Sequence, residues 1–151
     1  MSLYRHLPNR DAVLAAVVDR LAAEAVDDLH LGSTWPEALA AFGTNYRRML
    51  LRHPNAVPLL ATHPMDVDAG LKLVDGLLAR FSDAGVPQAE WLTAVQSVIV
   101  YVLGHALAQV GSPSGVSAAP PETPEASDYY QRWFTAGLTA MVGGFADRYR
   151  R

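Results

Sequence analysis

The segment 88–111 constrains the fold more than any other part of the chain, because it is long and nearly free of charge. After Glu90 no Asp, Glu, Lys or Arg occurs until Glu122, and residues 98–103 are all apolar or aromatic. A helix that is apolar on almost every face has to be covered on almost every face. The segment therefore predicts a central helix surrounded by other helices.

Residues 92–111 would also be long enough to cross a bilayer, for which about 20 apolar residues suffice. The stretch contains several polar side chains, namely Thr93, Gln96, Ser97, His105 and Gln109. The sequence shows no second stretch of this kind and no signal-peptide pattern at its start. We expect a soluble, cytoplasmic protein without membrane contact, in which a second copy of the chain covers what one core cannot.

Composition indicates one domain with its own core, since the chain has 151 residues, of which 50% are hydrophobic and 18% charged. The net charge of −3 gives no basic field, so electrostatics alone make this chain a poor nucleic-acid binder. There is no cysteine, which excludes disulfides and thiolate metal sites.

Helix signals follow one another along the whole chain, and we find no strand pattern. Asn9 is a good N-cap for a helix that should run to about His30, with Gly32 ending it. The sequence 34–37 is a capping box that starts a second helix, which His53 before Pro54 should end. In that helix Arg47, Arg48 and Arg52 are predicted to face outward, or to lie along the apolar surface with the charged group in water.

Prolines then confine residues 55–63 to a short helix, and the apolar spacing of residues 66–81 predicts one further helix before the central one. The segment 111–127 has no periodicity and is dense in Pro, Gly and Ser, which predicts a flexible loop. The last helix should span 128–151. Its glycines favour close approach of another helix, since each costs up to about 1 kcal/mol against alanine.

Residues 3–14, LYRHLPNRDAVL, resemble the junction in TetR-like transcriptional regulators where the DNA-reading helix ends and the next helix begins. Further pieces resemble the regulatory domain of the branch that includes the tetracycline repressors. These pieces are 35–37, 50–54, 62–64, 81–87, 103–104 and 134–145. Their order and spacing cover nearly the whole chain.

The resemblance implies an all-α, TetR-like ligand-binding and dimerisation helical bundle, in which the central and last helices of two subunits form a four-helix bundle. Residues 1–8 would be the remnant of the DNA-recognition helix and its turn, and 9–151 the effector-binding and dimerisation domain. The expected homodimer interface consists of Val98, Tyr101, His105, Gly137, Leu138 and Met141. In the intact protein, DNA contacts would come from Tyr4, His6 and Arg10.

Family members begin with a three-helix DNA-binding head, of which most lies outside this sequence. A recognition helix reads a groove only when its partner helix positions it. We therefore expect operator DNA to be a partner only where the helix-turn-helix is complete. For this chain, Tyr4 and His6 would otherwise be an exposed helix stub.

The resemblance also implies an effector pocket, lined by Phe42, Tyr46, Leu60, Thr62, His63, Leu92 and Gln96. Positions that match the tetracycline and magnesium ligands of the family, near Ala25, Val26, Phe42 and Leu60, are apolar here. An apolar or aromatic small molecule is therefore the expected effector. Its binding would relieve DNA binding in the intact repressor. Phe42 and Tyr46 could equally be ordinary core residues, because core and pocket would lie on the same apolar face of their helix.

Other classes of function find little support in the sequence. No two of the five histidines have the spacing of a helical ligand pair, so we expect no metal and no cofactor. The carboxylates fall at helix ends or on polar faces and no nucleophile elbow occurs, so we expect no enzyme. His53 is interpreted as a helix-end residue that caps carbonyls, and His105 as a buried interface residue with one hydrogen bond. A helical dimeric interaction module, or a small-molecule carrier without a DNA-regulatory role, remains the alternative.

Overall fold

The computed structural model describes residues 9–27, 29–63, 66–111 and 123–149. In these ranges the chain forms helices and no strand, which confirms the all-α prediction. The helices are α1 (Arg10–Val26), α2 (Trp35–Arg52), α3 (Val57–Thr62), α4 (Val67–Leu73), α5 (Asp75–Asp83), α6 (Gln88–Val110) and α7 (Pro124–Tyr149), with a 3-10 turn at Pro54–Ala56 before α3. The predicted DNA contacts Tyr4 and His6, with the rest of residues 1–8, lie outside the described residues.

The first two helices begin where the sequence predicts. The Asn9 side chain accepts a hydrogen bond from Ala12 N at 2.9 Å and caps α1. At the start of α2, Thr34 Oγ1 accepts from Glu37 N, and Glu37 Oε2 accepts from the backbone N–H of Thr34 at 3.0 Å. The capping box is therefore formed as predicted.

Helix α1 ends at Val26 rather than near His30, so the predicted end was wrong. Asn45 of α2 is buried, and its side-chain amide donates to Ala25 O at 2.6 Å and to Asp27 O at 3.3 Å. These bonds satisfy carbonyls that the end of a helix leaves without partners. The end of α1 is thus fixed by a residue distant in sequence, which no local pattern shows.

Two further boundaries differ from the prediction. The stretch 66–81 forms two helices rather than one, since Val74 leaves helical geometry with φ −100° and ψ 15°. Helix α7 begins at Pro124 rather than Asp128, because Thr123 accepts a hydrogen bond from Ala126 N at 3.2 Å and proline suits a first turn. The predicted loop 111–127 therefore ends earlier. Residues 112–122 lie outside the described part of the chain.

Helix α2 is the centre of the bundle, because it packs against α1, α5, α6 and α7. Leu39, Met49 and Leu50 on this helix are fully buried. At its N-terminal end Trp35 stacks on Phe81 of α5, with ring centroids 4.7 Å apart. The core therefore lies along α2, with α6 and α7 on one side of it.

Helix α6 is covered on one side only. Ala94, Val98, Val102 and Ala106 are completely buried against the rest of the bundle, whereas Val100 is 60% exposed. Within the described residues, α6 is the one helix long and apolar enough to span a membrane, with a mean hydropathy of 1.5. A helix in the core of a soluble bundle meets the same criteria, and the buried side of α6 is core. The composition of α6 predicts cover on every side, but the described residues of one chain cover only one side of it.

Candidate functional site

A groove of about 780 Å³ runs along the uncovered side of α6. It is lined by Leu92, Thr93, Gln96, Ser97, Val100, Tyr101 and Met141. Leu92 and Gln96 belong to the predicted effector pocket, whereas Tyr101 and Met141 belong to the predicted subunit interface. The structure therefore brings parts of two predicted sites together on one surface.

The groove offers few polar groups to a ligand or partner. The hydroxyl of Thr93 donates to Ala89 O at 2.8 Å, and that of Ser97 donates to Thr93 O at 2.7 Å, so both bond within their own helix. None of the lining side chains carries a charge. Apolar contact is therefore the main interaction that this groove can make.

Exposed aromatic side chains continue the apolar surface onto α7. Tyr129 is 57% exposed and Trp133 is 43% exposed, with their ring centroids 6.1 Å apart. We call the exposed sides of α6 and α7 together the open face. Large exposed apolar patches on soluble proteins commonly mark interaction sites.

Glycines on the open face have no packing reason among the described residues. A Cβ added at Gly104, Gly143 or Gly144 would meet nothing within 4 Å. Gly137 differs, because a Cβ there would overlap the hydroxyl of Tyr101. That hydroxyl donates to Phe134 O at 3.0 Å, so Gly137 lets α6 and α7 approach each other inside one chain.

Half of the predicted interface residues are core residues. Val98 is fully buried, Leu138 is 5% exposed and His105 is 3% exposed. Val98 and Leu138 face α2, since each comes within 3.0 Å of a Cβ built on Gly43. These side chains are packed inside the single chain, and their part in a subunit interface stays a prediction. Tyr101, Gly137 and Met141 are only partly buried, and their role in a dimer stays a prediction.

The predicted effector residues fall in three different environments. Phe42 is buried and its ring stacks on that of Tyr46, with centroids 6.1 Å apart, and burial raises the pKa of Tyr46 to about 12. Leu60 is partly buried and packs against the core. Thr62 and His63 are exposed at the end of α3, where Thr62 Oγ1 lies 3.0 Å from His63 Nδ1. Only Leu92 and Gln96 of this set line the groove on α6.

Arg47 was predicted to face outward, and this prediction was wrong, because the residue is only 8% exposed. Its Nη1 donates to Gln131 Oε1 at 2.7 Å and its Nη2 donates to Gln109 Oε1 at 2.9 Å. The guanidinium carbon lies 4.6 Å from the centroid of the Phe134 ring. Arg47 therefore joins α2 to both α6 and α7 through charge-assisted hydrogen bonds and a cation–π contact.

His105 lies beside this arginine in a shell of aromatic rings. The centroid of its ring is 4.6 Å from that of Trp133, 5.4 Å from that of Phe134 and 5.9 Å from that of Tyr130. The predicted burial is confirmed, but the predicted hydrogen bond was wrong, since neither ring nitrogen has a partner in the described structure. Burial and then the charge of Arg47 lower the pKa of His105, so the ring is neutral at pH 7.

His53 is the helix-end residue that the sequence predicts, and its backbone N–H bonds the carbonyls of Met49 and Leu50. Its imidazole, however, pairs with a carboxylate instead of capping carbonyls. Its Nε2 lies 2.9 Å from Glu24 Oε2, and Arg52 Nη2 lies 2.7 Å from Glu24 Oε1. This cluster links the ends of α1 and α2.

Arg10, the predicted DNA contact within the described residues, is exposed at the start of α1. No group of three or more His, Asp or Glu residues that could hold a metal occurs in the described ranges.

Known proteins with a similar sequence or fold are transcriptional regulators. Residues 30–149 match the model of the tetracyclin repressor-like C-terminal domain. The chain therefore belongs to this family, which confirms the resemblance predicted from the sequence.

Two proteins with sequences similar to this chain are both named as HTH-type transcriptional proteins. An HTH-type transcriptional regulator of Saccharopolyspora erythraea is 32% identical over 108 residues, which are 72% of this chain and 46% of that protein. The HTH-type transcriptional repressor DrrR1 of Streptomyces coeruleorubidus is 25% identical over 111 residues, which are 73% of this chain and 41% of that protein. The chain thus spans less than half the length of both relatives.

The crystal structure of a proposed transcriptional regulator from Streptomyces coelicolor A3(2) has a similar fold. The TM-score is 0.64 at 20% sequence identity, and the match covers 97% of this chain and 78% of that one. At this identity the likeness concerns the fold alone.

Proposed function

We propose that this chain is the effector-sensing and dimerisation domain of a TetR-like transcriptional repressor, acting in the cytoplasm and without catalysis. The open face is the observation that carries this proposal. It presents Leu92, Val100 and Trp133 to solvent, together with glycines that no contact among the described residues requires. Such a face suits a second copy of α6 and α7, packed as a four-helix bundle.

The proposed effector is an apolar or aromatic small molecule, and operator DNA is a partner where the protein carries a complete helix-turn-helix. Binding would act by population shift, because a ligand moves an equilibrium only as far as its affinities for the two arrangements differ. The proposed result is a change in the spacing of the two DNA-binding heads and lower affinity for the operator.

Association tests the proposed dimer. Val100→Glu places a charge on the open face, and burying it without a partner should weaken association about 100-fold or more. Val17→Glu is the matched control, since Val17 is an exposed valine on α1, away from the open face. We expect sedimentation velocity to show dimers for the unchanged chain and for Val17→Glu, and monomers for Val100→Glu. Dimers that persist in Val100→Glu would exclude the open face as the contact.

Thermal denaturation with a panel of small aromatic and apolar compounds tests the sensing role. A ligand that binds only the folded chain raises the midpoint temperature of unfolding. At a ligand concentration 100 times its Kd, the free energy of unfolding should rise by about 2.7 kcal/mol. A purely structural dimeric module should respond to none of them. A dimer without any such response would therefore favour the interaction module over the sensor.

A further inference from the structure

His105 is an ionisable side chain enclosed in the core without a hydrogen bond. It is 3% exposed, and neither Nδ1 nor Nε2 has a partner within the described residues. Buried polar groups are nearly always paired, because an unpaired one costs about 1–3 kcal/mol. An enclosed imidazole of this kind therefore needs an explanation beyond packing.

The described groups around His105 come from three helices, and none of them carries a negative charge. The Tyr130 backbone favours the protonated ring, but less than burial and Arg47 disfavour it. Arg47 of α2 is cationic and lies over the ring of Phe134, which in turn contacts the imidazole. Tyr101 of α6 and Tyr130 of α7 already donate their hydroxyls to backbone carbonyls, at 3.0 Å to Phe134 O and 3.0 Å to Ala108 O. Arg47 is the charged residue that acts on His105 in this arrangement.

Protonation would therefore place a second positive charge beside Arg47 in an apolar shell. A buried charge without a partner costs several kcal/mol, which packing of the surrounding rings does not offset. Much of that shell is the α7 segment that contains Tyr130, Trp133 and Phe134. Displacement of this segment is the direct way for the imidazole to reach water.

We propose that His105 is an acid-sensitive switch in the packing of α7 against α2 and α6. The packed form holds the imidazole neutral, and proton uptake loosens the N-terminal half of α7. This inference does not depend on the proposed regulatory function.

The direction of the pH effect follows from linkage. In the unfolded chain His105 titrates near its ordinary pKa of about 6.5, whereas burial and Arg47 lower its pKa in the folded chain. Around and below about pH 6.5 the unfolded chain therefore binds the proton more readily than the folded chain does. The contribution to stability is complete above that pH and is lost as the pH falls.

Histidine Cε1–Hε1 NMR signals of the full 151-residue chain test the switch directly. We expect the His105 signal to remain that of a neutral ring until α7 opens. Amide exchange should then show loss of protection in α7 before loss in α2. Ordinary titration of His105 with α7 still protected would overturn the proposal.

Urea unfolding at two pH values gives a second test. Between about pH 6.5 and pH 5.5 the His105 contribution should raise the unfolding constant by up to about fivefold. His105→Leu should remove this response, and His105→Gln serves as a second non-titrating variant if the first does not fold. His30→Gln is the matched control and should keep the response. Variants at 105 that keep the full response would refute the switch, and the NMR titration decides the matter if neither folds.

Discussion

The two sides of helix α6 have similar residues and opposite surroundings. Val98 is completely buried, whereas Val100, two positions later, is 60% exposed. The inner side packs on α2 and α7, and the outer side borders the groove that contains Leu92 and Gln96. Apolar composition thus indicates that a helix must be covered, but it does not tell which partner covers each side.

The largest expected effect comes from placing a charge on each side in turn. Val98→Glu buries an unpaired carboxylate in the core and should destabilise the chain by more than about 4 kcal/mol, so the variant should not fold. Val100→Glu should keep the far-UV circular dichroism of the unchanged chain. If both variants lost helical structure equally, the open face would be as essential to folding as the core.

Two glycines of α7 sharpen the same contrast. Gly137→Ala forces a methyl group against Tyr101 and should lower the free energy of unfolding by about 1–3 kcal/mol. Gly144→Ala meets nothing within the chain and should not destabilise it, since alanine favours a helix by up to about 1 kcal/mol over glycine. Urea denaturation at low protein concentration measures both changes.

The association of Gly144→Ala separates two explanations of the open glycines. Weaker dimerisation with unchanged or improved folding would support close approach of a second helix at this position. A gain in stability without any change in association would leave Gly144 without a role in subunit contact.

The smallest expected effect concerns the inner polar contacts. Arg47→Met removes the donors to Gln109 and Gln131, which should lower the free energy of unfolding by about 1 kcal/mol, because the glutamines can turn toward other partners. The exposed Arg20 provides the control, and Arg20→Gln should change stability by less than about 0.5 kcal/mol.

Arg47→Met should also raise the pKa of His105, since the charge of Arg47 contributes to its depression after burial. The histidine NMR titration of the variant measures this change. A His105 signal that responds to pH as in the unchanged chain would show that burial alone keeps the ring neutral.

Local sequence signals predict helix starts correctly where residues close in sequence decide the structure. The caps at Asn9 and Thr34 are formed as predicted, because each hydroxyl or amide oxygen bonds an N–H three residues away. The end of α1, the break at Val74 and the start of α7 at Pro124 were missed. The first of these depends on Asn45, which lies 18 to 20 positions from its partners.

The candidate site was predictable only in part. The apolar stretch indicated that α6 needs a partner, and the groove does contain Leu92, Gln96, Tyr101 and Met141. No sequence pattern predicts the burial of Arg47, because an arginine in an amphipathic helix normally faces water. Gln109, one of several polar residues in α6, was a local hint of a polar partner.

The sequence by itself determined that the chain is an all-α domain of the tetracyclin repressor-like C-terminal type, since caps, helical spacing and motif order are local properties of the chain. Only the tertiary structure decided which face each helix buries. That choice depends on how α2, α6 and α7 cross, and it places Arg47 and His105 in the core and leaves Val100 and Trp133 in solvent.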